Sequence, residues 1–307
     1  MKSSNRLIVL TLAAGMSLAL VGCENGNTAT PDHDTDKAMI SHSDSQNAPA
    51  GTGYDKPGFY TRIEDGRLWV FRAGDQALKY IQGDLPADHV TRISAGPDGK
   101  TVKAVDSEII DEYLLSKPGF IVRIEDGRMW VFRAASEAWQ SYLANGAPAD
   151  HVTRVSAGPD GRTIKAVDAE TIDAYMLAKP GFEVSLVDGR IWVFPAGSEE
   201  AETFQATGNL PADHVTRVSA GPGGRTVKAD ESATIDAYLY STDAYVAKVV
   251  DGRIWVFPAG SEELETFEQT GNLPADHVTR VSAGPEGKTV KALESATIDL
   301  YLAAVAE

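Results

Sequence analysis

Beyond residue 53 the apolar positions fall into a cycle of two periods that returns four times. In one copy Phe120-Ile-Val-Arg-Ile-Glu and Arg128-Met-Trp-Val-Phe-Arg flank Asp126-Gly127. Two short runs of strand formers around Asp-Gly predict a β-hairpin, because that dipeptide accepts the positive φ angles of a tight turn. A helical stretch follows, clearest at Ser261-Glu262-Glu263-Leu264-Glu265-Thr266-Phe267. Ser261 is placed to cap its free amides, the acids suit its positive end, and Gly271 stops it. The second half of the cycle repeats this logic. His89 to Ala95 and Lys100 to Ala104 flank the turn Gly96-Pro97-Asp98-Gly99, and Asp106 then caps a helix with Ile109, Ile110, Tyr113 and Leu114 on one side. Lys117-Pro118-Gly119 closes it. Each unit reads as hairpin, helix, hairpin, helix.

Lys-Pro-Gly-Phe opens the first three copies at Lys56, Lys117 and Lys179, and Thr242-Asp243-Ala244-Tyr245 stands at the fourth. The histidines His89, His151, His214 and His277 recur at intervals of 62, 63 and 63 residues. The units divide as 54–116, 117–178, 179–241 and 242–307. Hairpins alternating with helices imply an α+β fold of four tandem units, each an antiparallel sheet with its helices on one face. A unit of about 62 residues buries only about 60% of its unfolded surface, so neighbours are expected to pack in a row with few contacts between distant units. Units three and four nearly coincide from Asp188 onward, so features shared with the first two carry more weight.

The candidate chemistry lies on the hairpins. A four-residue Gly-Pro-Asp-Gly loop pairs Ala95 with Lys100, Ile93 with Val102 and Thr91 with Ala104. His89 then sits at the edge of the core, its ring bonding to backbone or to Asp88, while Arg92 and Lys103 face outward. That basic pair recurs as Arg154 and Lys165, Arg217 and Lys228, and Arg280 and Lys291, with Lys100, Arg162, Arg225 and Lys288 at the turns. Two roles are open to these cations: meeting the acidic helices (Asp111, Asp173, Asp236, Asp299), or forming a ladder of weak anion sites along a repetitive acidic polymer. For Trp69, Trp130, Trp192 and Trp255, a three-residue Glu-Asp-Gly loop puts the indole in the core, and a two-residue loop moves it to the face of Arg62 and Glu64. The four histidines would form a metal set only if the units brought them together or Asp88 joined in, so no metal or other cofactor is expected. No Gly-x-Ser-x-Gly, His-Glu-x-x-His or Walker-type loop occurs, and an enzyme is not expected.

The first 53 residues belong to another class. Lys2 and Arg6 precede an uncharged apolar run from Leu7 to Val21, ending Leu20-Val21-Gly22-Cys23. That layout is a secretory signal, too short to span a bilayer comfortably. Its last four residues resemble the lipobox of bacterial lipoproteins. The resemblance implies removal of residues 1–22, a lipid on Cys23 with acyl chains such as palmitate, and, from Glu24 after the cysteine, the outer membrane. Cys23 is the only cysteine, so no internal disulfide is available. Residues 24–53 are polar and read as a flexible tether; within it Asp32-His33-Asp34-Thr35-Asp36 alternates acids as a calcium loop does but lacks the glycine and glutamate of one. Loss of Lys2 and Arg6 takes the formal charge from −16 to −18, which disfavours nucleic acid as a partner. The chain is expected to be a membrane-anchored, non-enzymatic repeat module of the envelope that engages an anionic glycan or an acidic protein. Metal binding or sensing through the Asp-His pairs is the alternative.

Overall fold

The computed structural model describes residues 52–306. The leader, Cys23, the Asp32–Asp36 run and all but the end of the expected tether lie outside the described residues. Among the described residues no helix is long and apolar enough to cross a membrane.

Four repeated α+β units are present. In the first, β1 (Phe59–Glu64) and β2 (Arg67–Arg72) form the opening hairpin, α1 (Asp75–Gln82) follows, then β3 (Val90–Arg92), β4 (Val102–Ala104) and α2 (Ser107–Leu115). Asp65 and Gly66 turn the hairpin with φ of 50° and 70°, the two-residue primed turn that Asp-Gly favours. Glu64 therefore pairs with Arg67 and Arg62 with Trp69. The shorter of the two candidate loops is the one adopted.

Each sheet is mixed rather than antiparallel, with order β1-β2-β4-β3 in the first unit and a parallel contact between β2 and β4. The reason is α1, which carries the chain across so that the second hairpin docks its later strand beside β2. Helices also cover both faces, not one. Leu68 and Val70 on β2 pack with Ile109, Ile110 and Tyr113 of α2, while Trp69 and Phe71 pack with Ala77 of α1. A central strand buried on both sides reads as a continuous apolar run, which is what Leu68-Trp69-Val70-Phe71 is. The indole thus lies on the Arg62 face and is still core, at 5% exposure.

The second hairpin departs further from expectation. Ser94 takes a left-handed φ of 52° just after β3, so the strand ends early and a 3₁₀ turn over Pro97–Gly99 completes a loop longer than four residues. Thr91 pairs with Lys103 and Arg92 with Val102, one residue away from the expected register. Ile93, expected opposite Val102, is 82% exposed.

Successive units share their second helices. The Tyr175 hydroxyl, on α4 (Ala169–Leu177) of unit two, donates to the Leu115 carbonyl at the end of α2, 2.7 Å away. Tyr238 donates to Leu177 and Tyr301 to Tyr240 at 2.9 and 3.0 Å. Turn cations cross the first two of these boundaries, Arg162 to Asp111 at 3.0 Å and Arg225 to Asp173 at 3.6 Å. Units one and four also touch, which the expected row did not include. Pro97 packs so closely on Gly260 that a Cβ at that glycine would stand 2.8 Å from the ring, and Lys100 shares a cleft with Glu262 and Glu294.

Candidate functional site

The parallel β2–β4 contact sets Lys103 beside Trp69, and β3 brings His89 to the same face. The Lys103 ammonium lies 5.1 Å from the centre of the indole and 3.0 Å from His89 Nε2. The imidazole meets the indole edge-on at 4.9 Å, and its Nδ1 is 3.1 Å from the Ala87 carbonyl oxygen. An ammonium only donates, so Nε2 accepts and Nδ1 carries the proton given to the carbonyl. Asp88 takes no part in these bonds. The cluster recurs as Lys165, Trp130 and His151; Lys228, Trp192 and His214; and Lys291, Trp255 and His277, with ammonium-to-indole distances of 4.9, 5.0 and 4.9 Å. In each, the indole is buried, the lysine half-buried and the imidazole exposed.

The basic pairs do not share a face. Arg92, opposite the buried Val102, lies on the α2 side and pairs with Asp111; Arg154 pairs with Asp173, Arg217 with Asp236 and Arg280 with Asp299. Arg154 holds the Asp173 carboxyl below its ordinary range, mainly through that bond. Lys103, Lys165, Lys228 and Lys291 occupy the opposite face, and among the described residues no carboxylate lies within ion-pair reach of them. The histidines stay apart, one to a unit, and among the described residues no three His, Cys, Asp or Glu side chains are grouped to hold a metal.

Two other sets went unread in the sequence. The lysines of Lys-Pro-Gly-Phe are helix caps: Lys56 Nζ donates to the Tyr113 and Ser116 carbonyls at 2.9 and 3.1 Å, and Lys179 to Tyr238 and Ser241 at 2.9 and 2.5 Å. Burial pushes Lys56 and Lys179 down to about 8 from 10.5, with neighbouring Lys117 adding to the shift. Between those values the unfolded chain binds more protons than the folded one, so stability rises with pH across that window. Burial holds the Tyr113, Tyr175 and Tyr238 phenols above their ordinary value, so the unfolded chain loses phenolic protons first above about pH 10 and stability then falls. Urea midpoints should climb from about pH 8 to a maximum near pH 10 and then drop, and Lys56→Met with Lys179→Met should flatten the climb. A steady fall from pH 8 upward would contradict this assignment. The second set, the charged groups set between units, includes the buried Glu112 and Arg123 and the half-buried Arg133.

No protein-family model, no curated protein and no solved structure matches the chain.

Proposed function

We propose that this is a non-enzymatic binding module of the bacterial cell envelope, anchored by a lipid on Cys23 and engaging an anionic glycan through its four lysine–histidine–tryptophan clusters. The observation that supports it is the recurrence of one half-buried lysine per unit, free of carboxylates, in a chain of net charge −16. The indole lies against each ammonium, and His89, His214 and His277 also bond to theirs at 3.0 Å, which reduces the side-chain entropy lost on meeting an anion. Weak sites repeated along a polyanion add by multivalency. The outer membrane is the proposed location, from Glu24 after the lipobox cysteine, and nucleic acid is not a proposed partner.

The test is retention on immobilised polygalacturonate over a salt gradient. The native chain should bind and elute with salt, and the four changes Lys103→Gln, Lys165→Gln, Lys228→Gln and Lys291→Gln together should weaken binding by about tenfold or more. Undiminished binding by that variant would overturn the assignment of these lysines. Cys23→Ser should abolish incorporation of labelled palmitate, and labelling that persisted would remove the anchor from the proposal.

A further inference from the structure

The boundaries between units are built alike and filled differently. At the first, the Glu112 carboxylate on α2 is wholly buried in a cradle contributed by two units. Arg72 grips it through Nε and Nη2 at 2.7 Å each, and the Ile124 N–H donates at 2.8 Å. Arg123 Nη1 lies 3.5 Å away, and the nearby Val122 N–H is taken by Ser116 Oγ at 3.1 Å. Val122 and Ile124 lie on β5 (Phe120–Glu125), the edge strand of unit two.

At the second boundary the cradle remains and the acid is gone. Arg133 stands where Arg72 does, at the end of β6 (Arg128–Arg133), but Ala174 replaces Glu112, Ser185 replaces Arg123 and Ala178 replaces Ser116. The edge strand β9 (Phe182–Val187) pairs with β10 (Arg190–Pro195) in the register that β5 has with β6. The amides of Val184 and Leu186 therefore point away from the sheet, as those of Val122 and Ile124 do. Among the described residues neither amide meets a side-chain acceptor, and no carboxylate pairs with Arg133. Burial lowers the guanidinium's pKa against the opposing charges of Asp168 and of Glu170, which lines the same space without pairing with it. What fills the space is a cleft of about 380 Å³, lined by Arg133, Val184, Ser185 and Leu186 and by the rings of Phe120 and Phe204. At the third boundary Pro195 stands in the arginine's position, and Ser241 Oγ again accepts the edge-strand amide, that of Ala247, at 2.8 Å. Of the three boundaries, the second is the one with a cation and two open amides.

We propose that this cleft binds a small monocarboxylate with an apolar body, the carboxylate taking at Arg133 and the Leu186 amide the place that Glu112 takes one unit earlier. The guanidinium supplies the charge and two donors, the amide a third, and the phenyl rings receive the apolar part. Glu170 and Glu183 on the walls repel a second negative charge, so a phosphate ester suits the cleft less well than a monoanion. This site is separate from the lysine clusters and does not depend on them.

Titration calorimetry on the folded chain with phenylacetate and octanoate tests the proposal, with phenethylamine and phenyl phosphate as comparators. At least one carboxylate should bind saturably, the amine not at all and the phosphate more weakly. Arg133→Gln should weaken binding tenfold or more. Ala174→Glu, which restores the internal acid, should abolish binding and raise Tm. The proposal is overturned if neither carboxylate binds the native chain, or if both variants bind like the native one. Should Ala174→Glu fail to fold, Arg133→Gln decides alone, and undiminished binding by it overturns the site.

Discussion

Glu112→Ala should lower stability by about 3–5 kcal/mol, the range found when one partner of a buried ion pair is removed. The carboxylate is 0% exposed and accepts from Arg72, the Ile124 amide and, at longer range, Arg123. Its two cations respond differently to its loss. Arg72 retains 41% side-chain exposure and can turn to water, whereas Arg123, at 7%, stays between the rings of Phe59 and Trp139 without its acid. The orphaned Arg123 charge and Ile124 amide thus dominate the cost, not the lost attraction. A second change separates these terms. Combining Glu112→Ala with Arg123→Ser installs the pair that the next boundary already uses, Ala174 and Ser185, and should recover most of the loss. Urea unfolding followed by tryptophan fluorescence gives both values. A single-variant loss below about 1 kcal/mol, or no recovery in the double variant, would show that this boundary does not rest on the buried carboxylate.

The repeat count, the order of elements and the helix caps were legible because each has a local cause. Asp106 accepts from the Glu108 N–H and Ser261 from the Leu264 N–H, as their positions before apolar helices predict, and Gly271 ends its helix at a left-handed φ of 71°. Register was not legible in the same way. A one-residue choice of loop decides whether Trp69 faces core or water only on the premise that one face of the sheet is covered. The four-residue apolar run of β2 carried the contrary signal, since alternation fails where both faces are buried. The left-handed Ser94 had no such signal, because serine is not a residue that announces a positive φ. That one angle moved Arg92 from the side expected to meet a ligand to the side where it meets Asp111. The Lys103 clusters have a separate cause, since they need β4 beside β2, a pairing between strands that are not neighbours in sequence.

The boundaries explain how four small units hold together, and Tyr175 gives the second large effect. Its side chain is wholly buried, with Phe120 edge-on at 5.8 Å and the Lys117 ammonium 5.2 Å from the ring centre. Tyr175→Ala should cost about 3–5 kcal/mol, as large aromatic truncations in packed cores do. Tyr175→Phe keeps the ring and removes only the bond to the Leu115 carbonyl, so its cost should be about 1–2 kcal/mol. The two variants should also differ in kind. That hydroxyl reaches from the second unit's helix to the end of the first unit's, so its loss weakens a contact between units more than the inside of either. Hydrogen exchange tests this. In Tyr175→Phe the amide of Ser116, which closes α2 by donating to the Glu112 carbonyl at 2.9 Å, should lose more protection than the Ala178 amide at the end of α4, which donates to Ala174 over the same 2.9 Å. Equal loss at both would mean that the units unfold together and that Tyr175 supports one shared core. A larger loss at Ser116 would mean that the second helix of one unit is held from the next, the role that Tyr175 shares with the equally buried Tyr238 and Tyr301.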